Sequence, residues 1–217
     1  MKIRAFLFLS LFLTLSIGAN ENSIFWELES PEGKQIFIFG SIHVDDNRVV
    51  DFSDSVNNAM KKSDLFVSET NNVNNLKALE GLGGEYNTYL SDEDFQKISE
   101  LSDFHSIETE FAIKLKPWLL GFIFSSPRAM NPFSQDNLLK VAASNYGLAS
   151  KGLETVDEHY SVLDTLSPED QFQILKNVLN LSEADKEKNY ELMIKTYLTF
   201  NLNKILNVDE EVTKLIV

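Results

Sequence analysis

The sequence predicts an α/β fold, with α+β as the alternative, in which a small mixed sheet precedes a largely helical portion. Residues 23–29 alternate apolar and polar side chains, as a half-buried strand does, and residues 35–40 form a short apolar run. From residue 91 onward, apolar side chains recur at helical spacing. Strands at the start and helices afterwards, with no linker between them, favour a single domain.

The first residues are typical of a leader rather than of a folded element. Lys2 and Arg4 precede a short apolar run, and small residues follow up to Ala19. This order of features is that of a secretory signal peptide. We therefore expect residues 1–19 to be removed and residues 20–217 to form one exported domain, periplasmic or extracellular. No stable membrane span should remain after cleavage, and an uncleaved N-terminal anchor is the alternative.

Composition excludes several kinds of chemistry. The 217 residues contain no cysteine, so disulfides, thiolate catalysis and thiolate metal sites are excluded. The formal net charge is −14, and loss of the leader would remove positive charge from an already acidic chain. Such a chain repels phosphate groups, which makes nucleic acid and anionic lipid poor partners. A peptide or a small molecule is the expected substrate or ligand.

The first half of the sequence predicts a hairpin followed by a βαβ unit. Residues 30–33, Ser-Pro-Glu-Gly, form a turn sequence, so 23–29 and 35–40 should pair as an N-terminal hairpin. A helical stripe over 51–60 and a second apolar strand over 64–69 follow. Because a strand, a helix and a strand make a βαβ unit, the two apolar strands should lie parallel.

A histidine and two acids are expected to converge at one edge of this sheet. His43 and Glu69 follow the carboxyl ends of the two parallel strands, where open α/β sheets build their sites. Glu154 would end a third strand over 148–154. One imidazole with two carboxylates suits Mn, Fe, Co or Zn, so His43, Glu69 and Glu154 are the candidate metal ligands. In a metal-free alternative, Glu69 or His43 acts as a general base and Arg48 stabilises an oxyanion.

The rest of the chain is predicted to be helical. Serines in front of apolar stripes, such as Ser91 and Ser167, are good N-cap residues, and the strongly apolar segment that starts at Trp118 should be a buried helix. The predicted helices run from residue 91, over 107–115, over 118–124, from 134 to 147, from 156, from 168 and from 182 to about 206.

Four segments resemble the TraB/GumN family, in the family's order. They are Phe39 to Asp46 with Arg48 and Val49; the strand ending in Glu69; Leu115-Lys116-Pro117-Trp118; and Asp136, Leu139 and Ala142 followed by Lys151 and Leu153-Glu154-Thr155. The family includes the Tiki proteins, metal-dependent proteases that clip a secreted growth factor. Distant relatives of similar fold include haem-iron-binding lipoproteins and erythromycin esterases. The resemblance implies that His43 and Glu69 are active-site residues and that Arg48 is an auxiliary one.

One feature of the family is missing from the sequence. The family carries a second Gly-x-x-His motif near its C-terminus, whereas His105 is preceded three residues earlier by Ser102 and His159 by Val156. We therefore expect either a chain truncated at its C-terminus or a site that has lost one half. A truncated sheet would keep an unpaired edge, which predicts association into a homo-oligomer.

Two functions stay open on the sequence alone. One is an exported metal-dependent hydrolase of the peptidase type, with an incomplete site at His43, Glu69 and Arg48 and a divalent Mn, Co, Fe or Zn ion. The other is a non-catalytic module that captures haem, iron or a peptide on the same scaffold. The missing second Gly-x-x-His motif favours the module, and the first such motif, Gly40 to His43, together with Glu69 favours the hydrolase.

Overall fold

The structure, a computed structural model, describes residues 23–70, 79–81, 85–129, 131 and 133–208. The predicted signal peptide lies outside these residues. Within the described part of the chain, no helix combines the length and the apolar character needed to cross a membrane.

The predicted N-terminal hairpin is confirmed. Strand β1 (Phe25–Glu29) pairs antiparallel with β2 (Gln35–Phe39), and Phe25 lies opposite Phe39. The turn closes through the Gly33 N–H, which donates to the Ser30 carbonyl at 2.9 Å. Gly33 has a φ of 77°, a left-handed conformation that glycine adopts without strain.

The second sheet corrects the predicted strand pairing. Strand β3 (Leu65–Thr70) pairs in parallel not with β2 but with β4 (Ala149–Glu154). Helix α1 (Asp54–Lys62) does connect β2 to β3, but these two strands lie in separate two-stranded sheets. The prediction that 35–40 and 64–69 are sheet neighbours is therefore wrong, whereas a third strand ending on Glu154 and the α/β class are confirmed.

The two sheets are joined by side-chain packing. Val56 and Met60 of α1 are buried together with Leu139, and Phe39 of β2 and Phe66 of β3 pack against this apolar cluster. Hydrophobic contact thus replaces the backbone hydrogen bonds that the sequence predicted between these strands. A pattern of apolar strands cannot distinguish the two, because it does not specify which strands pair.

The opposite face of the β3–β4 pair is open to solvent. Leu65, Val67 and Leu153 are 49%, 43% and 79% exposed. Parallel strands are normally covered on both faces. The association predicted from the sequence therefore has an apolar surface available to it, and it stays a prediction.

The remaining elements are helices, most of which begin at serine caps or at proline. Helices α3, α8 and α9 each start after a serine whose side-chain oxygen accepts a hydrogen bond from the first turn. In chain order they are α2 (Tyr86–Tyr89), α3 (Asp92–His105), α4 (Thr109–Ala112), α5 (Pro117–Ser125), α6 (Gln135–Asn145), α7 (Val156–Asp164), α8 (Pro168–Leu179) and α9 (Glu183–Tyr197). Residues 202–208 are also helical.

The main core lies between α5 and α8. Trp118 and Phe124 of α5 and Leu175 of α8 are almost fully buried, and each contributes roughly 1.5–3 kcal/mol of hydrophobic stabilisation. Gly121 lets the two helices approach, because a Cβ at this position would lie 3.3 Å from a methyl group of Ile174. The buried helix predicted from Trp118 onward is confirmed.

A smaller core fixes the chain that follows β2. Ile24, Val49, Ile194 and Tyr197 are buried together, and Ile42 packs against them. The loop from Gly40 to Val49 is thereby held against α9. This loop carries His43.

Candidate active site

His43 lies between two carboxylates. Its ring Nδ1 is 2.7 Å from Oδ2 of Asp136, in the first turn of α6, and its Nε2 is 3.3 Å from Oε2 of Glu69, in β3. The side chains of His43 and Glu69 are 68% and 58% exposed, and that of Asp136 is 21% exposed. The structure thus brings His43 and Glu69 together, as predicted, and adds an acid from a third element.

Asp136 is held in place from two sides. The Ser41 hydroxyl donates to its Oδ1 at 2.5 Å, while its Oδ2 faces the His43 ring. A carboxylate in the first turn of a helix is also stabilised by the helix dipole. Since the two oxygens of Asp136 contact Ser41 and His43 separately, Ser41 does not hydrogen-bond to the imidazole as a serine nucleophile would.

The His43–Asp136 pair shifts both groups toward their charged forms. The hydrogen bond to Asp136 raises the pKa of His43 above its usual 6.5, with the charge of Glu69 adding to it, although burial acts in the opposite direction. Burial acts to raise the pKa of Asp136, but the hydrogen bonds from His43 and Ser41 outweigh it, so that this pKa is lowered.

The same shifts determine the pH range in which the pair stabilises the fold. The contribution of His43 is complete below the usual imidazole pKa and is lost as the pH rises through the raised value. The contribution of Asp136 is complete above the usual carboxyl pKa and is lost as the pH falls through the lowered value. The pair is therefore most stabilising in mildly acidic solution, between the usual pKa of a carboxyl group and the usual pKa of an imidazole.

Gln135 anchors the loop that carries His43. This side chain is buried, its amide N–H donates to the Val49 carbonyl, and its Oε1 accepts the Ile42 N–H at 2.9 Å. The Tyr197 hydroxyl lies 3.0 Å from the same Oε1 and 2.9 Å from the Gly40 carbonyl. One glutamine thus contacts both ends of the loop.

Gln135, which anchors the loop, is next to Asp136, which contacts His43. Gln135 and Asp136 are adjacent in the first turn of α6, so the residue that fixes the loop and the residue that orients His43 move together. Burial raises the pKa of Tyr197 to about 12, which keeps its hydroxyl protonated and able to donate.

Arg48 is not directed toward His43. Its guanidinium contacts Oδ2 of Asp46 at 2.6 Å and Oε1 of Glu191, in α9, at 2.7 Å. These contacts lower the pKa of both carboxyls. The donors that an oxyanion would need are used by two carboxylates, so Arg48 ties the loop to α9.

Glu154 also lies apart from His43. It is directly opposite Thr70 in the β3–β4 register, and side chains of successive residues point to opposite faces of a sheet. Glu154 therefore shares a face with Thr70 and not with Glu69. Its Oε1 is 2.7 Å from Nδ1 of His159, which accounts for this carboxylate without a metal.

The donor set at His43 fits a divalent ion only in part. Two ligands about 2.0–2.1 Å from a tetrahedral metal are roughly 3.4 Å apart. The 3.3 Å between His43 Nε2 and Glu69 Oε2 matches this spacing. Asp136 contacts the opposite ring nitrogen, as a carboxylate behind a ligating histidine commonly does in metal sites. Among the described residues, no group of three or more His, Asp and Glu side chains is arranged to hold an ion.

The fold and the site define an α/β protein with a histidine held between carboxylates near the end of a strand. The chain belongs to the TraB/PrgY/gumN family, whose model it matches over residues 24–215. The resemblance seen in the sequence is thereby confirmed over nearly the whole chain. No curated protein and no solved structure shows significant similarity to it.

Three residues of the site were missed as functional candidates. Asp136 was noticed only as part of the family pattern, and Gln135 and Tyr197 were not singled out. The sequence feature that includes two of them is Ser134-Gln135-Asp136 at the start of a helix. Polar side chains are common there as capping residues, so this feature does not indicate a functional role. The partners of these three residues are 62 to 157 residues away along the chain, so only the fold shows what they contact.

Proposed function

We propose that this protein is an exported hydrolase of the peptidase type that uses a divalent ion held by His43 and Glu69. The observation that carries the proposal is the placement of His43, with Nδ1 2.7 Å from Oδ2 of Asp136 and Nε2 3.3 Å from Oε2 of Glu69. Membership of the TraB/PrgY/gumN family supports it. The basic and apolar leader supports export.

Each residue has a separate task in this proposal. An ion requires the neutral ring, and the contact with Asp136 would keep the remaining proton on Nδ1, so that the Nε2 lone pair would face the ion. Ser41 fixes the carboxylate of Asp136 so that the ring keeps this tautomer. Glu69, more than half exposed, would hold the ion through the oxygen beside Nε2, and its other oxygen would accept a proton from a water beside the substrate. A divalent ion bound here would supply Lewis acidity and lower the pKa of a bound water.

The alternative is a non-catalytic module that captures haem, iron or a peptide. It is favoured by one observation, namely that the described residues supply two ligands rather than three. Catalytic zinc sites usually have three protein ligands. The two functions differ in whether a bound peptide is cleaved.

Peptide cleavage by the full chain is the direct test. With Mn²⁺ or Co²⁺ added, we expect turnover of internally quenched peptides, and Glu69→Gln should reduce the rate by about 10²–10⁴-fold because it removes the proton acceptor. Glu29→Gln, an exposed glutamate at the end of β1, is the matched control and should leave the rate unchanged. Binding of the peptides without cleavage by the parent chain would contradict the hydrolase and leave the module.

A further inference from the structure

A second cleft lies next to the loop of the site. It has a volume of about 240 Å³ and lies between the chain that follows His43 and the chain that follows α5. Its polar lining residues are Asp45, Asp46, Asn47, Arg128, Asn131 and Tyr190. Asp45 is two residues beyond His43, so a molecule in the cleft would lie close to the candidate active site.

Arg128 differs from Arg48 in its surroundings. Its Nη2 donates to the Ser106 hydroxyl at 2.9 Å, and within the described part of the chain no carboxylate oxygen lies within ion-pair distance of it. The protein has a net charge of −14, so carboxylates are abundant elsewhere. Arg128 is therefore a cation that faces a cleft with donors to spare.

The acids of the cleft are already engaged by the protein. Both oxygens of Asp46 accept hydrogen bonds from Arg48. Oδ2 of Asp45 accepts the Asn131 N–H at 2.6 Å, and the Asn131 side chain donates to the Asp45 carbonyl. These contacts join the two walls of the cleft and fix its shape.

We propose that Arg128 binds the carboxylate of an acylated amino acid or of a peptide C-terminus. The planar guanidinium matches a single carboxylate in a two-pronged hydrogen bond. The cleft is smaller than the roughly 300–1,000 Å³ of pockets for drug-sized ligands, and it suits one terminal residue. The proposal rests on the proposed function in so far as the terminal residue belongs to the substrate of the His43 site.

The test measures binding to the metal-free full chain, so that it does not depend on turnover. The probes are acetyl-Ala-Ala-Leu with a free carboxylate, the same peptide as its C-terminal amide, and N-acetylleucine. We expect the parent chain to bind the free acid at least tenfold more tightly than the amide by NMR titration, and Arg128→Gln to abolish this preference.

Two further variants make the result specific. Lys188→Gln removes one positive charge from an exposed part of α9 and should keep the preference. His43→Ala should also keep it, so a failed hydrolase and a failed carboxylate site are distinguishable. Tight binding of N-acetylleucine would indicate a free acyl amino acid, and binding of the tripeptide alone would indicate a peptide end. Equal binding of acid and amide, or a preference that survives Arg128→Gln, would overturn the proposal.

Discussion

Replacement of Gln135 by leucine is expected to lower the free energy of unfolding by about 2–4 kcal/mol. The substitution leaves the buried Val49 carbonyl and the Ile42 N–H without their partner, and each such loss costs about 1–3 kcal/mol. Leucine has a similar size, so the loss reports hydrogen bonding rather than a cavity. Urea unfolding of the purified chain measures it, provided that the slope with denaturant is unchanged.

Gln173→Leu is the control for this substitution. Gln173 is exposed on α8 and donates to Asn177 one turn away, so its replacement should change the unfolding free energy by less than about 0.5 kcal/mol. Equal effects of the two substitutions would show that the Gly40–Val49 loop is not anchored by Gln135. Because His43 lies on this loop, that result would also weaken the proposed site.

Asp136→Asn is expected to weaken binding of a divalent ion by about 10–100-fold, the usual cost of losing a carboxylate behind a ligating histidine. The neutral amide no longer favours the protonated ring. The pKa of His43 in the metal-free chain should therefore fall from its raised value toward 6.5. Calorimetry with Mn²⁺ measures the first effect, and NMR titration of the imidazole measures the second.

The matched control is Asp54→Asn. Asp54 also lies in the first turn of a helix, α1, but it is exposed and outside the site. It separates the general effect of a charge at a helix start from the specific contact with His43. If both variants keep the parent pKa of His43, Asp136 does not orient the ring.

Local sequence patterns were sufficient for the parts of the fold that depend on near neighbours. The hairpin follows from alternation and from a turn that needs Gly33, and the buried α5 follows from its apolar run. The approach of His43 to Glu69 was also predicted, although through a strand pairing that does not exist. His43 follows β2 and Glu69 lies near the end of β3, and both strands pack on one apolar cluster, so the two residues lie close together although the strands do not pair.

Long-range partners could not be predicted in the same way. The pairing of β3 with β4 joins segments about 80 residues apart, and any apolar strand would have satisfied the pattern. The role of Arg48 depended on Glu191, which lies 143 residues further along. Glu154 looked like a site acid because the pattern gives the end of a strand but not the face on which its last side chain lies.

The central claim is that His43 is the histidine that binds a divalent ion. A ligand that binds only the folded chain, at 100 times its dissociation constant, stabilises it by about 2.7 kcal/mol. For a chain of this size, that corresponds to a rise in melting temperature of roughly 5–10 °C. The measurement is thermal unfolding with and without Mn²⁺ or Co²⁺ for the parent and for three histidine-to-alanine variants.

The comparison among the variants decides the result, because unfolded chains also bind metals through histidine. His105 is packed against Phe124, and His159 has its own carboxylate partner in Glu154 at 2.7 Å. His105→Ala and His159→Ala should therefore keep the shift in melting temperature, and His43→Ala should abolish it. If all three variants respond to metal as the parent does, His43 is a loop histidine and the metal-dependent hydrolase is contradicted.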